Sequence, residues 1–330
     1  MGGDYAPRAP IAGSLHALAE LPAEHDIELI GRSAVIEAEL NALVSGELSA
    51  LAPHRHRLHV VDAPEVIEMT DRPSVALRGK TNSSMVVGIR RVADGQAQAF
   101  VSAGNTGAQM AASLMLLKLH TGLTRPAIGT IFPTALQPVL VLDSGANVDC
   151  SAEELVQFAR IGAVYARDLM GRDRPAIGLL SIGEEPEKGN VAVKDAHQRL
   201  AKSDLNFIGN VEGRDIARGT CERGAIDVVV CDGFTGNVLL KFYEGLAPML
   251  IGKVSRIAGI DPRRAFESLK ELDADEHGGA PLLGVRGVSV ISHGRSSPRA
   301  MMNAILVARR AYESGMTEDI GRALAQEDVA

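Results

Sequence analysis

Ala99-Phe100-Val101 followed by Ser102-Ala103-Gly104-Asn105-Thr106-Gly107-Ala108 is an apolar, strand-like run that ends in a Gly/Asn/Thr turn and continues into helix-like sequence. The same design returns where residues 227–231 precede Asp232-Gly233-Phe234-Thr235-Gly236-Asn237. Such a turn aims bare backbone N–H groups and a helix N-terminus at one point, which is how a protein holds an anion without a metal. Phosphate is therefore the first ligand to expect. Two further apolar runs, 139–142 and 177–182, lead into Asp143-Ser144-Gly145-Ala146-Asn147 and Gly183-Glu184-Glu185-Pro186-Glu187-Lys188-Gly189-Asn190. Four such turns at successive strand ends point to a shared site.

Working outward from these turns, strands are expected at 27–31, 58–61, 126–132, 205–208 and 288–291, and helices at 11–21, 33–43, 82–94, 109–120 and 191–202. Ser151 before Glu153-Glu154 reads as an N-cap with an acidic first turn, so 152–170 is the best-marked helix. This βαβα order implies an α/β fold with a largely parallel sheet, helices on both faces and ligands at the carboxyl ends of the strands. The chain has no repeat, low-complexity tract or Pro/Ser linker, which favours one connected unit over residues 1–330. Met1-Gly2-Gly3-Asp4-Tyr5-Ala6-Pro7 reads as a strand-to-helix turn with no strand ahead of it. A first strand is thus expected to be missing before Met1, leaving a gap or an exposed edge.

Composition narrows the class. At 330 residues and 46% hydrophobic content the chain can bury a large core. A net charge of −7, with 3% aromatics and no Trp, argues against nucleic-acid binding. Cys150, Cys221 and Cys231 are an odd number without CxxC spacing, so neither a disulfide framework nor a zinc site is indicated, and thiols in a reducing cytoplasm are expected. No signal peptide and no apolar run of about 18 residues is present. GxGxxG after the first strand, GxxxxGK[ST] and GxSxG are all missing, so no nucleotide cofactor and no metal are expected.

A wider set of motifs carries a resemblance. Thr81-Asn82-Ser83-Ser84-Met85, the 102–108 turn, Asp143-Ser144-Gly145-Ala146-Asn147, the stretches 178–190 and 227–241, Phe207-Ile208-Gly209-Asn210-Val211-Glu212-Gly213 and Gly278-Gly279-Ala280-Pro281-Leu282-Leu283-Gly284 stand in order along the chain. Together, from Met1-Gly2-Gly3-Asp4 to His293-Gly294, they resemble the bacterial acyl-ACP:phosphate acyltransferases of phospholipid synthesis. The resemblance implies a three-layer α/β/α sandwich like that of isocitrate/isopropylmalate dehydrogenases, and a homodimer. It implies transfer of a long-chain acyl group from acyl carrier protein to inorganic phosphate, and functional coupling to the membrane glycerol-3-phosphate acyltransferase that uses the acyl phosphate. Members commonly carry a tyrosine where this chain has His277, and a strand before the Met-Gly-Gly-Asp motif.

The chemistry assigns candidate roles. The site must bind a dianion, stabilise an oxyanion and release a thiol. The backbone amides of Gly104, Asn105 and Thr106, with Gly236 and the side chains of Asn105 and Asn237, are candidates for gripping phosphate and oxyanion; the alternative is ordinary turn residues. Lys188 is the leading candidate for countering phosphate charge, against a solvated surface lysine, with Lys194 and Lys241 as weaker choices. Asp232 can steer a phosphate proton or the leaving thiol, or simply cap the following helix. His293 is a candidate acid/base, against a structural histidine.

Residues 246–272 read as a basic amphipathic helical hairpin, with Leu250, Val254 and Ile257 among its apolar residues and Arg263 and Arg264 among its basic ones. It suits an anionic lipid surface, and the resemblance implies peripheral membrane contact. Dimer or core packing is the alternative, and acidic carrier protein is another partner for the same charges. Two other functions stay open: a short-chain phosphate acyltransferase using acyl-CoA, and a non-catalytic scaffold that binds carrier protein.

Overall fold

Strands and helices interleave along the described chain, with runs of consecutive strands at 127–142, 220–230 and 280–291. The computed structural model describes residues 1–261, 264, 276 and 278–325. The first elements are α1 (Arg8–Glu20), β1 (Ile27–Gly31), α2 (Ser33–Ser45), β2 (Leu58–Asp62), α3 (Pro73–Gly79), α4 (Ser84–Ala93), β3 (Ala99–Ser102) and α5 (Thr106–Leu116). Next come β4 (Ala127–Ile128), β5 (Thr130–Phe132), β6 (Val139–Leu142), α6 (Ala152–Met170), β7 (Ile177–Leu180), α7 (Val191–Leu200), β8 (Phe207–Val211) and α8 (Gly213–Arg218). The chain continues through β9 (Thr220–Cys221), β10 (Gly224–Ala225), β11 (Val228–Val230), α9 (Gly233–Ala258), β12 (Ala280–Leu283), β13 (Val288–Ile291), α10 (Pro298–Glu313) and α11 (Met316–Ala325).

These elements gather into two compact units. One takes Met1–Lys118, Asp275–Pro281 and Val285–Tyr312; the other takes Leu119–Ala274, Leu282–Gly284 and Glu313–Ala330. No linker composition announces the division, because the chain passes between the units several times and two of the passages fall inside β12 and α10.

In unit one, β1 and β2 form a parallel pair, and β3 pairs in parallel with β13. The first half of β12 lies antiparallel to β13. Ile11, Leu15 and Leu18 of α1 meet Ile36, Leu40 and Leu43 of α2 in a core that also takes Leu29 and Leu58. The buried Arg57 guanidinium closes the end of α1 by donating to the carbonyls of Leu18 at 2.9 Å and His25 at 2.8 Å, and to that of Pro22.

In unit two, β5-β6-β11-β7-β8 make a five-stranded sheet in which only β5 runs antiparallel. Its central strands, Val139–Leu142 and Val228–Val230, are buried at every residue, so they read as continuous apolar runs. Successive residues face opposite sides of the sheet. Val229 joins a cluster with Phe132, Val139 and Val141 against Leu239, Leu240 and Tyr243 of α9, the Phe132 and Tyr243 rings lying 5.7 Å apart.

The expected elements mostly stand where the residues put them. α6 spans the expected 152–170, with Ser151 and Glu154 forming a reciprocal capping box and Gly171 ending it at φ 68°. The structure also departs from expectation. The single sheet is in fact two larger sheets, a β1–β2 pair and a β9–β10 hairpin. The one strand expected at 126–132 breaks at Gly129 into β4, which pairs with the second half of β12, and β5, which pairs with β6. The helix expected at 246 begins at Gly233 and runs 26 residues through Pro248 to a Gly259 cap. Most of the expected second arm, with Arg263, and the His277 position lie outside the described residues. Among the described residues, no helix is long and apolar enough to cross a membrane.

Candidate functional site

The expected site residues divide between the units. Gly104, Asn105, Thr106 and His293 belong to unit one, and Lys188, Lys194, Asp232, Gly236, Asn237 and Lys241 to unit two.

In unit one the carboxyl ends of β3 and β13 lie side by side, with Ser292 N donating to Ser102 O at 2.8 Å. The Ser102 hydroxyl accepts from Gly104 N at 3.0 Å and shapes the turn. Asn105 is buried and caps α5, its Oδ1 accepting from Ala108 N at 3.0 Å. Its Nδ2 donates to the carbonyls of Glu68, Met69 and Asp71 at 3.3, 3.1 and 3.1 Å. The Asn105 carboxamide, expected as a phosphate ligand, thus holds four partners inside the protein. What the turn leaves available is backbone. Among the described residues, the N–H groups of Asn105, Thr106 and Gly107 have no partner, so three consecutive donors stand at the N-terminus of α5. His293 is exposed, and its Nδ1 accepts from Arg295 N at 3.2 Å, which places the proton of the neutral ring on Nε2. The N-terminal turn meets the same loop: Asp4 N donates to Gly294 O at 2.9 Å, and the Asp4 carboxylate lies 3.8 Å from Arg295.

In unit two the turn after β6 is organised around Asp143, a residue to which the sequence assigned no role of its own. This fully buried carboxylate accepts from Ile128 N, Gly145 N and Ala146 N at 2.9, 3.2 and 3.1 Å, and from the backbone and side-chain nitrogens of Asn147 at 2.7 and 2.9 Å. Burial pushes its pKa up, against the pull of those donors. An Asp at the end of a fully apolar strand was the available signal, since a buried carboxylate there must find donors in the turn that follows.

Asp232 is a cap, and both its oxygens are engaged. Oδ1 accepts from Thr235 N and Oδ2 from Thr235 Oγ1, each at 2.8 Å. Gly236 has a packing reason to be glycine, because a β-carbon there would stand 1.9 Å from the Asp143 carbonyl oxygen. Asn237 is exposed and lies beside Gly145, its Oδ1 3.5 Å from where a β-carbon would stand. Lys188 is exposed, and among the described residues it makes no ion pair, although Glu184, Glu185 and Glu187 flank it in sequence. Lys194 is exposed on α7, whereas Lys241 is paired with Glu244 at 2.7 Å. Behind β11 the Cys231 thiol donates to Asp143 O at 3.5 Å, and burial raises its pKa well above the usual value. Burial beside the Asp143 charge pushes Cys150 up to about 12, so both sulfurs are thiols near neutral pH and poor nucleophiles.

On α9 the outer face exposes Leu250, Val254 and Ile257, the last 87% accessible. The helix also exposes Phe234, Val238 and Phe242, spaced four apart, nearer its start than residue 246. Arg264 is exposed.

Comparison with known proteins places this arrangement in a lineage. The family described as "Fatty acid synthesis protein" matches residues 1–319. The phosphate acyltransferase of Desulfitobacterium hafniense (strain Y51) is 44% identical over 340 aligned positions, covering 100% of this chain and 97% of the relative. That of Heliobacterium modesticaldum is 46% identical over 323 positions, covering 95% and 92%. The chain belongs to the phosphate acyltransferase family. Among solved structures, a phosphotransacetylase from Streptococcus pyogenes superposes with a TM-score of 0.55 at 16% identity, covering 93% of this chain and 99% of that one. This likeness is one of fold, a mixed α/β architecture rich in parallel strands. Membership in the family carries acyl transfer to phosphate.

Proposed function

We propose that the chain catalyses attack of inorganic phosphate on a long-chain acyl thioester of acyl carrier protein. A phosphate oxygen bonds to the carbonyl carbon, the C–S bond breaks, and the phosphate proton goes to the departing sulfur. Acyl phosphate and the free carrier thiol are the products. The observation that carries the reading is the run of amides at Asn105, Thr106 and Gly107 on the N-terminus of α5 that have no partner among the described residues, in a family whose acceptor is phosphate. Lys188 is the second anion-binding candidate, by a charge that no described residue pairs. Each is judged on its own chemistry, and single variants tell them apart. His293 is the candidate for steadying the departing thiolate with a hydrogen bond from Nε2–H while the sulfur takes the phosphate proton, a modest task because a thiolate leaves readily. Asn237 is a neutral donor for phosphate or oxyanion.

The product has a fatty chain, and the exposed apolar residues Leu250, Val254 and Ile257 of α9, with Arg263 and Arg264 beyond it in sequence, suit a peripheral position on an anionic cytoplasmic membrane face. There a homodimer would pass acyl phosphate to the membrane glycerol-3-phosphate acyltransferase. Two experiments test the proposal. Purified protein with acyl-carrier protein and phosphate should release free carrier thiol only when phosphate is present; turnover of acyl-CoA alone favours the short-chain alternative, and no turnover favours a scaffold. Leu250→Glu combined with Ile257→Glu should abolish co-sedimentation with anionic vesicles, and undiminished binding removes α9 from the membrane contact.

A further inference from the structure

The loop that carries Lys188 is held from beneath by two buried side chains that the reaction itself does not call for. Asn210 sits in β8 at 2% exposure, and His197 in α7 at 9%. Asn210 Nδ2 donates to the Glu185 carbonyl at 2.8 Å, and Asn210 Oδ1 lies 2.9 Å from His197 Nδ1. The Glu185 carbonyl can only accept, so the carboxamide nitrogen must face it. The oxygen is then left toward the imidazole, whose Nδ1 must carry the proton. The orientation of both side chains is thus fixed by the one available pattern of donors. The Phe207 ring, edge-on to His197 at 5.1 Å, leaves the imidazole little freedom.

The same Glu185 carbonyl accepts from Lys188 N at 3.0 Å and so closes the turn on which Lys188 stands. The turn is supported on either side as well. Ser181 N donates to Val211 O at 2.9 Å, and Asn190 caps α7 by accepting from Val193 N at 2.9 Å. The Lys188 stem lies over Gly183, its Cγ 3.0 Å from where a β-carbon would stand. Asn210 therefore grips the middle of a loop whose two ends are already anchored, at the acceptor that sets the direction of Lys188. A buried carboxamide in a strand carries a desolvation penalty unless its bonds are made. Here they are made to the lysine turn and to its support.

We propose that Asn210, oriented by His197, is a positioning residue for Lys188 and hence for binding of the phosphate substrate. This rests on the assignment of Lys188 above. The test is a double-mutant cycle read as the KM for inorganic phosphate at saturating acyl thioester, with thermal melting to confirm the fold of each variant. Lys188→Ala should raise that KM about tenfold or more. Asn210→Ala should raise it about tenfold with kcat within about threefold, and should add less than about twofold in the Lys188→Ala background. His197→Phe should raise the KM, and His197→Gln, which keeps an N–H toward Asn210, should restore most of the loss. An equal KM penalty from Asn210→Ala with and without Lys188 overturns the positioning role alone. An unchanged KM in Lys188→Ala overturns the Lys188 assignment and the positioning role with it. Should Asn210→Ala fail to fold, the His197→Phe and His197→Gln pair decides: equal phosphate KM in those two variants overturns the role.

Discussion

The turn after β3 and the turn after β6 look alike in sequence, Ser-Ala-Gly-Asn-Thr-Gly against Asp-Ser-Gly-Ala-Asn, and they do opposite things with their backbones. At β3 the side chain that organises the turn, Asn105, reaches outward to three carbonyls 34 to 37 residues away. The amides of Asn105, Thr106 and Gly107 are left unoccupied among the described residues. At β6 the organising side chain, Asp143, turns inward and takes the amides of Gly145, Ala146 and Asn147 for itself, while Ser144 N goes to Ile128 O. One turn brings its own anion; the other leaves its amides without a partner among the described residues. The lesson is that a small, polar strand-end turn becomes an anion site only where no carboxylate in the turn already fills it.

Three substitutions press on this contrast. The largest effect is expected from Asp143→Ala, which leaves five donors without their acceptor in a buried place; stability should fall by roughly 4 kcal/mol, read by chemical denaturation. A loss below about 1 kcal/mol would mean that the turn does not depend on its internal carboxylate. Asn105→Ala removes a helix cap and three outward bonds, and stability should drop by about 2 kcal/mol. Any rise in phosphate KM should then follow loss of turn order, so circular dichroism and melting should move together with it. The sharpest and smallest change is Thr106→Pro. Thr106 is the first residue of α5, where proline is tolerated, and Asn105 already has the extended ψ of 111° that a following proline prefers. Melting temperature should hold within a few degrees while phosphate KM rises about tenfold, and Thr106→Ala, which keeps the amide, should behave as the parent. Unaltered phosphate kinetics in Thr106→Pro would remove that amide from the site.

Legibility followed the range of the interaction. The α6 boundaries, its capping box and the Asp232 cap are set by residues three positions apart, and such spacings are visible in a string of letters. The apolar stretches of β6 and β11 were equally plain, because a parallel strand buried on both faces needs no alternation. The Gly129 break was hidden: nothing within 126–132 says that its two halves pair with different strands. The partners of the Asn105 side chain were hidden for a similar reason, since the carbonyls of Glu68, Met69 and Asp71 are distant in sequence and carry no side-chain signature. His197, Asn210 and Glu185 meet across 25 residues of chain and were not seen as a group.

By itself the sequence determined the α/β class, the strand-end turns, the order of motifs that marks the family, and phosphate as the expected anion. All of these depend on local geometry and residue type. Only the tertiary structure decided which of those turns keeps its amides free among the described residues, which distant carbonyls engage the Asn105 carboxamide, and that the chain folds into two compact units. The physical reason is that hydrogen-bond capacity is finite: whether a donor is available to a ligand depends on every acceptor folding brings within about 3 Å of it, and most of those acceptors lie far away in the chain.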